Sequence, residues 1–104
     1  MKRNPYFRFI GDTKLDNKMP VGSRRSRLEI MADILQEGRK PTRKTQIMYQ
    51  CNLSFKQFKT YLSFLGIKGL IKGKDNSGAA LYQTTRSGLS FLKLYRKMVL
   101  LLLQ

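Results

Sequence analysis

Apolar residues recur at three- and four-residue intervals over four stretches of the chain, and these intervals predict its elements. Leu28, Met31, Ala32 and Leu35, widened by Ile30 and Ile34, form one helical stripe. Ahead of it, Ser26-Arg27-Leu28-Glu29 fits a capping box, in which serine accepts an orphan amide and the glutamate reaches back. Gly38 is the expected stop. A second helix follows Pro41, with Thr42 as cap and Ile47, Met48 and Cys51 as apolar positions, and Asn52 suits a left-handed ending. Ser54 then caps a third helix. Its Phe55, Phe58, Leu62 and Leu65 predict one apolar face and leave Lys56, Gln57, Lys59, Thr60 and Ser63 on the other. After Gly66 and Gly69 the pattern changes. Residues 70–74 and 80–84 read as strands about a turn at 75–78. Thr85 caps a last helix running to about Leu103, with Leu89, Leu92, Tyr95, Val99 and Leu102 among its apolar positions.

Residues 1–22 differ: they hold Pro5, Gly11, Pro20 and Gly22, charges of both signs and no helical stripe. They read as a flexible basic arm. The expected organisation is that arm, a domain over 23–84 and a C-terminal helix over 85–104. Three helices, a hairpin and a fourth helix, with so short a turn between the second and third, is the winged helix-turn-helix order, mainly α within the α+β class.

Charge changes the picture from fold to partner. The chain of 104 residues has 21 Lys and Arg against 6 Asp and Glu, a net charge of +15. Glu29, Asp33 and Glu37 share the first helix; from Gly38 onward Asp75 alone opposes thirteen basic residues. One-signed charge on that scale is best tolerated when a polyanion neutralises it. Arg24, Arg25 and Arg27 crowd the positive end of the first helix, where cations are unfavourable; approaching phosphates or simple solvation would each account for them.

Catalysis has little to work with. With no His, one Cys and no paired carboxylates outside the first helix, His-based triads and the common zinc sites are excluded. Cys51 reads as a small core residue, and a lone thiol suits a reducing compartment. The unbroken apolar run from Met98 to Leu103 is far short of the ~20 residues that span a bilayer. No cofactor, metal, small-molecule ligand or membrane is expected.

Several strings sharpen the assignment: RSRLEIMADIL (25–35), KTQIMYQCNLSFKQFKTYLSFL (44–65), KGLIKG (68–73) and YQTTRSGLSFLKLY (82–95). Together they resemble the archaeal winged helix-turn-helix family of small DNA-binding proteins, over about Arg24 to Tyr95. The segment carrying Tyr82, Thr85, Gly88, Phe91 and Leu92 weighs most. The family includes a basic, chromatin-associated type that dimerises through its C-terminal helices. The resemblance therefore implies a non-enzymatic transcriptional regulator or chromatin protein, a double-stranded DNA partner and a cytoplasmic, nucleoid-associated location.

The physics is compatible with that. A helix fits the major groove, and Lys56, Gln57, Lys59, Thr60 and Ser63 supply donors and acceptors for base edges. Gln57 is the best base reader, because an amide matches adenine's paired donor and acceptor; Lys56 and Lys59 suit phosphates. Arg43, Lys44 and Thr45 put cations beside free amides at a helix start, a phosphate clamp to which Arg24, Arg25 and Arg27 would add. Lys72 and Lys74 on the wing would reach the backbone, or would serve only to discourage edge pairing. Leu92, Tyr95, Val99 and Leu102 follow a seam that predicts a homodimer through the last helix. Two other readings stay open: an RNA-binding basic module, and a winged helix used only for protein contact, which leaves the charge unexplained.

Overall fold

The computed structural model describes residues 25–76 and 79–103; the expected N-terminal arm and Arg24 lie outside them. The element order is α1 (Arg27–Glu37), β1 (Thr42–Arg43), α2 (Lys44–Cys51), α3 (Phe55–Ile67), β2 (Ile71–Asn76), β3 (Ala79–Thr84) and α4 (Arg86–Leu102). Four helices and a small antiparallel sheet of order β1-β3-β2 make the winged helix-turn-helix architecture that the pattern predicts.

The helix starts follow from their caps. Ser26 Oγ accepts from the Glu29 amide at 3.1 Å, and Glu29 Oε1 accepts from the Ser26 amide at 3.2 Å. Thr85 caps α4, accepting from the Gly88 amide at 3.1 Å. Asn52 has φ 55°, the left-handed ending expected of it, and sends Leu53 into the core before α3 begins.

One local expectation fails for an identifiable reason. Thr42 does not cap α2. It pairs with Tyr82 in the third strand, β1, which the sequence pattern did not reveal, and its hydroxyl donates to the Lys40 carbonyl at 2.6 Å. Arg43 takes the N-cap position, without a side-chain hydrogen bond. Gly38 ends α1 as expected, with φ −86°, outside the left-handed region. Its glycine is explained by space: a Cβ there would lie 3.0 Å from Thr84 Oγ1.

The core gathers Ile34 and Leu35 of α1, Ile47 of α2, Phe58 and Leu65 of α3, and Leu92 of α4. Leu92, expected at a dimer seam, is 4% exposed and packs within its own chain. Phe55 departs the other way. Although three residues before Phe58, it is 53% exposed, because the first turn of α3 projects beyond the core. Cys51 is buried as expected; desolvation, with Asp33 and Glu37 nearby, pushes its thiol up to about 12.

Arg25 is spent on structure. Its guanidinium pairs with Asp33 at 2.6 Å and also donates to the Cys51 carbonyl, tying the entry of α1 to the end of α2. A cation is favourable at that helix end.

A second tie joins the sheet to the end of α1 and the exit of α3. The Thr84 amide donates to the Gly38 carbonyl at 2.7 Å and its hydroxyl to the Leu35 carbonyl at 2.6 Å. Next along the chain, the Thr85 amide donates to the Leu70 carbonyl at 3.0 Å and its hydroxyl to Gly69 at 2.6 Å. One turn into α4, Gly88 lies so close to this junction that a Cβ would stand 2.2 Å from the Leu70 carbonyl oxygen.

Backbone cannot yield as a flexible side chain can, so Gly88→Ala is expected to cost about 2 kcal/mol or more by overpacking. Gly66, where an added Cβ meets nothing within 4 Å, is the control. Gly66→Ala is expected to be neutral or to stabilise by about 0.5 kcal/mol. Denaturant melts of the two variants check both values.

Candidate nucleic-acid interface

The starts of α2 and α3 meet around one ring. Lys44, the first residue of α2, holds its ammonium 5.1 Å from the centre of the Phe55 ring, and the Lys59 ammonium sits 5.9 Å from the same centre. Lys59 lies one helical turn after Phe55 on α3, whereas Lys44 comes from the neighbouring helix. The ring's quadrupole favours both cations at these distances. The sequence reading placed Phe55 on the buried face and so missed this cluster; the Phe55–Lys59 spacing of four was the signal available.

The outward side of α3 is populated as expected. Lys56, Gln57, Lys59, Thr60 and Ser63 are all exposed, and Lys56, Thr60 and Ser63 recur at four and three along one ridge. Two of them carry local duties. Gln57 completes a capping box: its Oε1 accepts from the Ser54 amide at 3.0 Å, while Ser54 Oγ accepts from the Gln57 amide at 3.1 Å. The carboxamide oxygen, one half of the pattern that would match adenine, is thus engaged in the cap through one of its two lone pairs. Thr60 donates its hydroxyl proton to the Lys56 carbonyl at 3.1 Å, which leaves its oxygen as an acceptor.

Arg43, Lys44 and Thr45 are exposed at the start of α2, where no side chain caps the helix from Arg43. Cations and first-turn amides therefore stand together. The sheet carries further cations. Arg43 and Lys74 both lie opposite Leu81, on either side of it, and Lys72 lies opposite Gln83 two residues along. Side chains alternate along strands, so Arg43, Lys72 and Lys74 share the sheet face opposite Ile71 and Gly73. Of the arginines near α1, Arg27 is exposed, and Arg25 is held by Asp33 and Cys51 as described.

Two further exposed aromatics escaped the sequence reading. Tyr49 of α2 is 81% exposed, and Phe64, near the end of α3, lies 5.6 Å beneath the Lys68 ammonium. Neither follows an interval distinct from that of the core.

On α4, Tyr95 and Val99 are half-buried and Leu102 is exposed. Burial, with Glu29 and Asp33 close by, pushes the Tyr95 hydroxyl up to about 12. Leu94, Met98 and Leu101 are exposed at spacings of four and three beside Leu102, so the open apolar stripe lies next to the expected seam. Among the described residues, no group of three or more His, Cys, Asp or Glu stands together to hold a metal ion, and no helix is long and apolar enough to cross a membrane.

Comparison with known proteins places this geometry. Sso10a-2, a DNA-binding protein from Sulfolobus solfataricus, superposes with a TM-score of 0.67 at 22% identity, over 74% of this chain and 81% of that one. A point mutant of ZitR from Lactococcus lactis superposes with a TM-score of 0.62 at 17% identity, over 86% and 69%. Wild-type ZitR in complex with DNA gives 0.53 at 16%, over 83% and 66%. These likenesses establish the fold. No curated protein matches the sequence significantly. The model of the winged helix-turn-helix family matches residues 24–102, and the chain belongs to that family.

Proposed function

We propose that the chain binds double-stranded DNA, with α3 in the major groove and the β2–β3 wing against the phosphate backbone. The observation that carries this reading is the exposed, one-signed charge of these elements: Lys44 and Lys59 meet about one ring at the starts of α2 and α3, and Arg43, Lys72 and Lys74 share one face of the sheet. The acids of the described helices are confined to α1. A phosphate lattice is the partner that relieves such one-signed charge. Structural neighbours named as a DNA-binding protein and as a complex with DNA support the same partner.

In this reading the protein works by reversible binding as a transcriptional regulator or chromatin-associated protein at the nucleoid. Cys51 is buried and its thiol is pushed up to about 12, which disfavours the thiolate that a nucleophile needs. Lys outnumbers Arg on α3 and on the wing, which favours affinity over sequence choice, since an ammonium is a point charge and a guanidinium forks onto guanine. A second copy would cover the stripe of Leu94, Met98, Leu101 and Leu102 on α4. A single chain leaves these four exposed on one side of the helix, and exposed apolar patches of that kind mark partner sites. One observation favours a different polyanion: Phe55 between two lysines has the composition of a stacking platform for unpaired bases.

A salt series of gel shifts on duplex DNA, duplex RNA and single strands tests the reading. Tightest binding is expected for duplex DNA, with affinity falling steeply as salt rises; a flat salt dependence would overturn it. Lys44→Ala should weaken all duplexes alike and lower the salt slope by about 1. Gln57→Glu preserves the capping box and adds a negative charge to the proposed groove face. It is expected to keep the melting temperature while weakening duplex binding about tenfold. Sedimentation should report a dimer, and Leu101→Glu a monomer with an unchanged circular dichroism spectrum; a monomeric parent protein removes the dimer.

A further inference from the structure

We propose that Phe55 is a specificity residue that reads the 5-methyl group of pyrimidines, above all thymine, in the major groove; this rests on the duplex reading given above. Phe55 is the first residue of α3, and the N-terminal residues of a recognition helix are the ones that meet base edges. It is 53% exposed, while Phe58, one turn later, is 1% exposed and supplies the core contact. Fold stability therefore does not explain an aromatic ring at this position.

The ring is also oriented. The Lys44 and Lys59 ammoniums hold it from two different helices, at 5.1 and 5.9 Å, and both cations suit phosphates flanking the groove. A backbone grip of that kind would set the depth of the ring relative to the bases.

The polar alternatives nearby are partly occupied. Gln57 Oε1 is engaged by the Ser54 amide, and the Thr60 hydroxyl proton by the Lys56 carbonyl. Along the major-groove edges of the four base pairs, the one apolar group is the methyl on C5 of thymine, and an aromatic side chain is among its usual partners. Cytosine methylated at C5 presents the same group. The exposed apolar side chain at the head of α3 and the apolar feature of the groove thus match in chemistry.

A cycle of protein and DNA changes tests this. The full chain and Phe55→Ala are titrated by fluorescence anisotropy with an A·T-rich duplex, the same duplex with every thymine replaced by uracil, and a G·C-rich duplex with and without 5-methylcytosine. The parent protein is expected to bind the uracil duplex about fourfold more weakly than the thymine one, the loss of one buried methyl group. It should gain a similar factor on cytosine methylation, and Phe55→Ala should lose both differences. Phe55→Leu, which keeps an apolar group, should retain them.

Several results would overturn the proposal: no thymine–uracil difference in the parent protein, the same difference in Phe55→Ala, or a larger loss on single strands than on duplexes. The last would make the ring a stacking platform. Equal weakening on all duplexes would make it only a spacer for Lys44 and Lys59. If the parent protein binds no duplex even at low salt, the DNA reading itself fails, and that outcome is distinct from the others.

Discussion

The arrangement depends on a backbone junction with no slack, where the sheet, the exit of α3 and the start of α4 come together. Thr84 hands its amide and hydroxyl to Gly38 and Leu35 at the end of α1, and Thr85 does the same to Leu70 and Gly69 at the end of α3. The bond from the Thr84 hydroxyl to Leu35 is buried, where a carbonyl left without its donor would cost about 1–3 kcal/mol, and the two adjacent threonines together fix three elements at once. Gly88 completes the junction by allowing α4 to touch the Leu70 backbone. The wing begins at Ile71, directly beyond this contact, and its direction relative to α3 is set there.

From that frame follows the placement of charge. The same strand that ends in Thr84 carries Leu81, flanked by Arg43 and Lys74, and so draws the start of α2 and the wing onto one sheet face. The end of α2 is fixed separately, through Arg25 and its two partners. With both ends of α2 held, Lys44 stands over the first turn of α3, and two cations distant in sequence, Lys44 and Lys59, meet about one ring.

Much of this was legible in the sequence because caps and periodicity are local. Ser26 with Glu29, Ser54, Asn52 and Thr85 each announced a boundary that the structure bears out, and the weight given to Thr85 and Gly88 finds its cause in the junction. What stayed hidden is non-local. The two-residue strand β1 has no pattern of its own and exists because Tyr82 and Leu81 pair with it. Arg25 looked like a free cation until Asp33 and the Cys51 carbonyl were placed around it. A helical wheel puts Phe55 and Leu92 on one kind of face in their respective helices, but not where each helix leaves its neighbours; the first projects past the core and the second lies within it. For the candidate site, the outward residues of α3 were readable from spacing, whereas the engagement of Gln57 and the meeting of Lys44 with Phe55 required the fold.

The engagement of Gln57 has a thermodynamic consequence for discrimination among sequences. Its carboxamide oxygen keeps a second lone pair, but the bond to the Ser54 amide fixes the direction of the side chain, so under the proposed reading a base that needs another orientation must draw it off the cap. Uncapping a helix costs on the order of 1 kcal/mol, which divides the preference for the favoured base by about five. Under the proposed reading such a group is self-limiting, because its own helix competes for the orientation that a base would require.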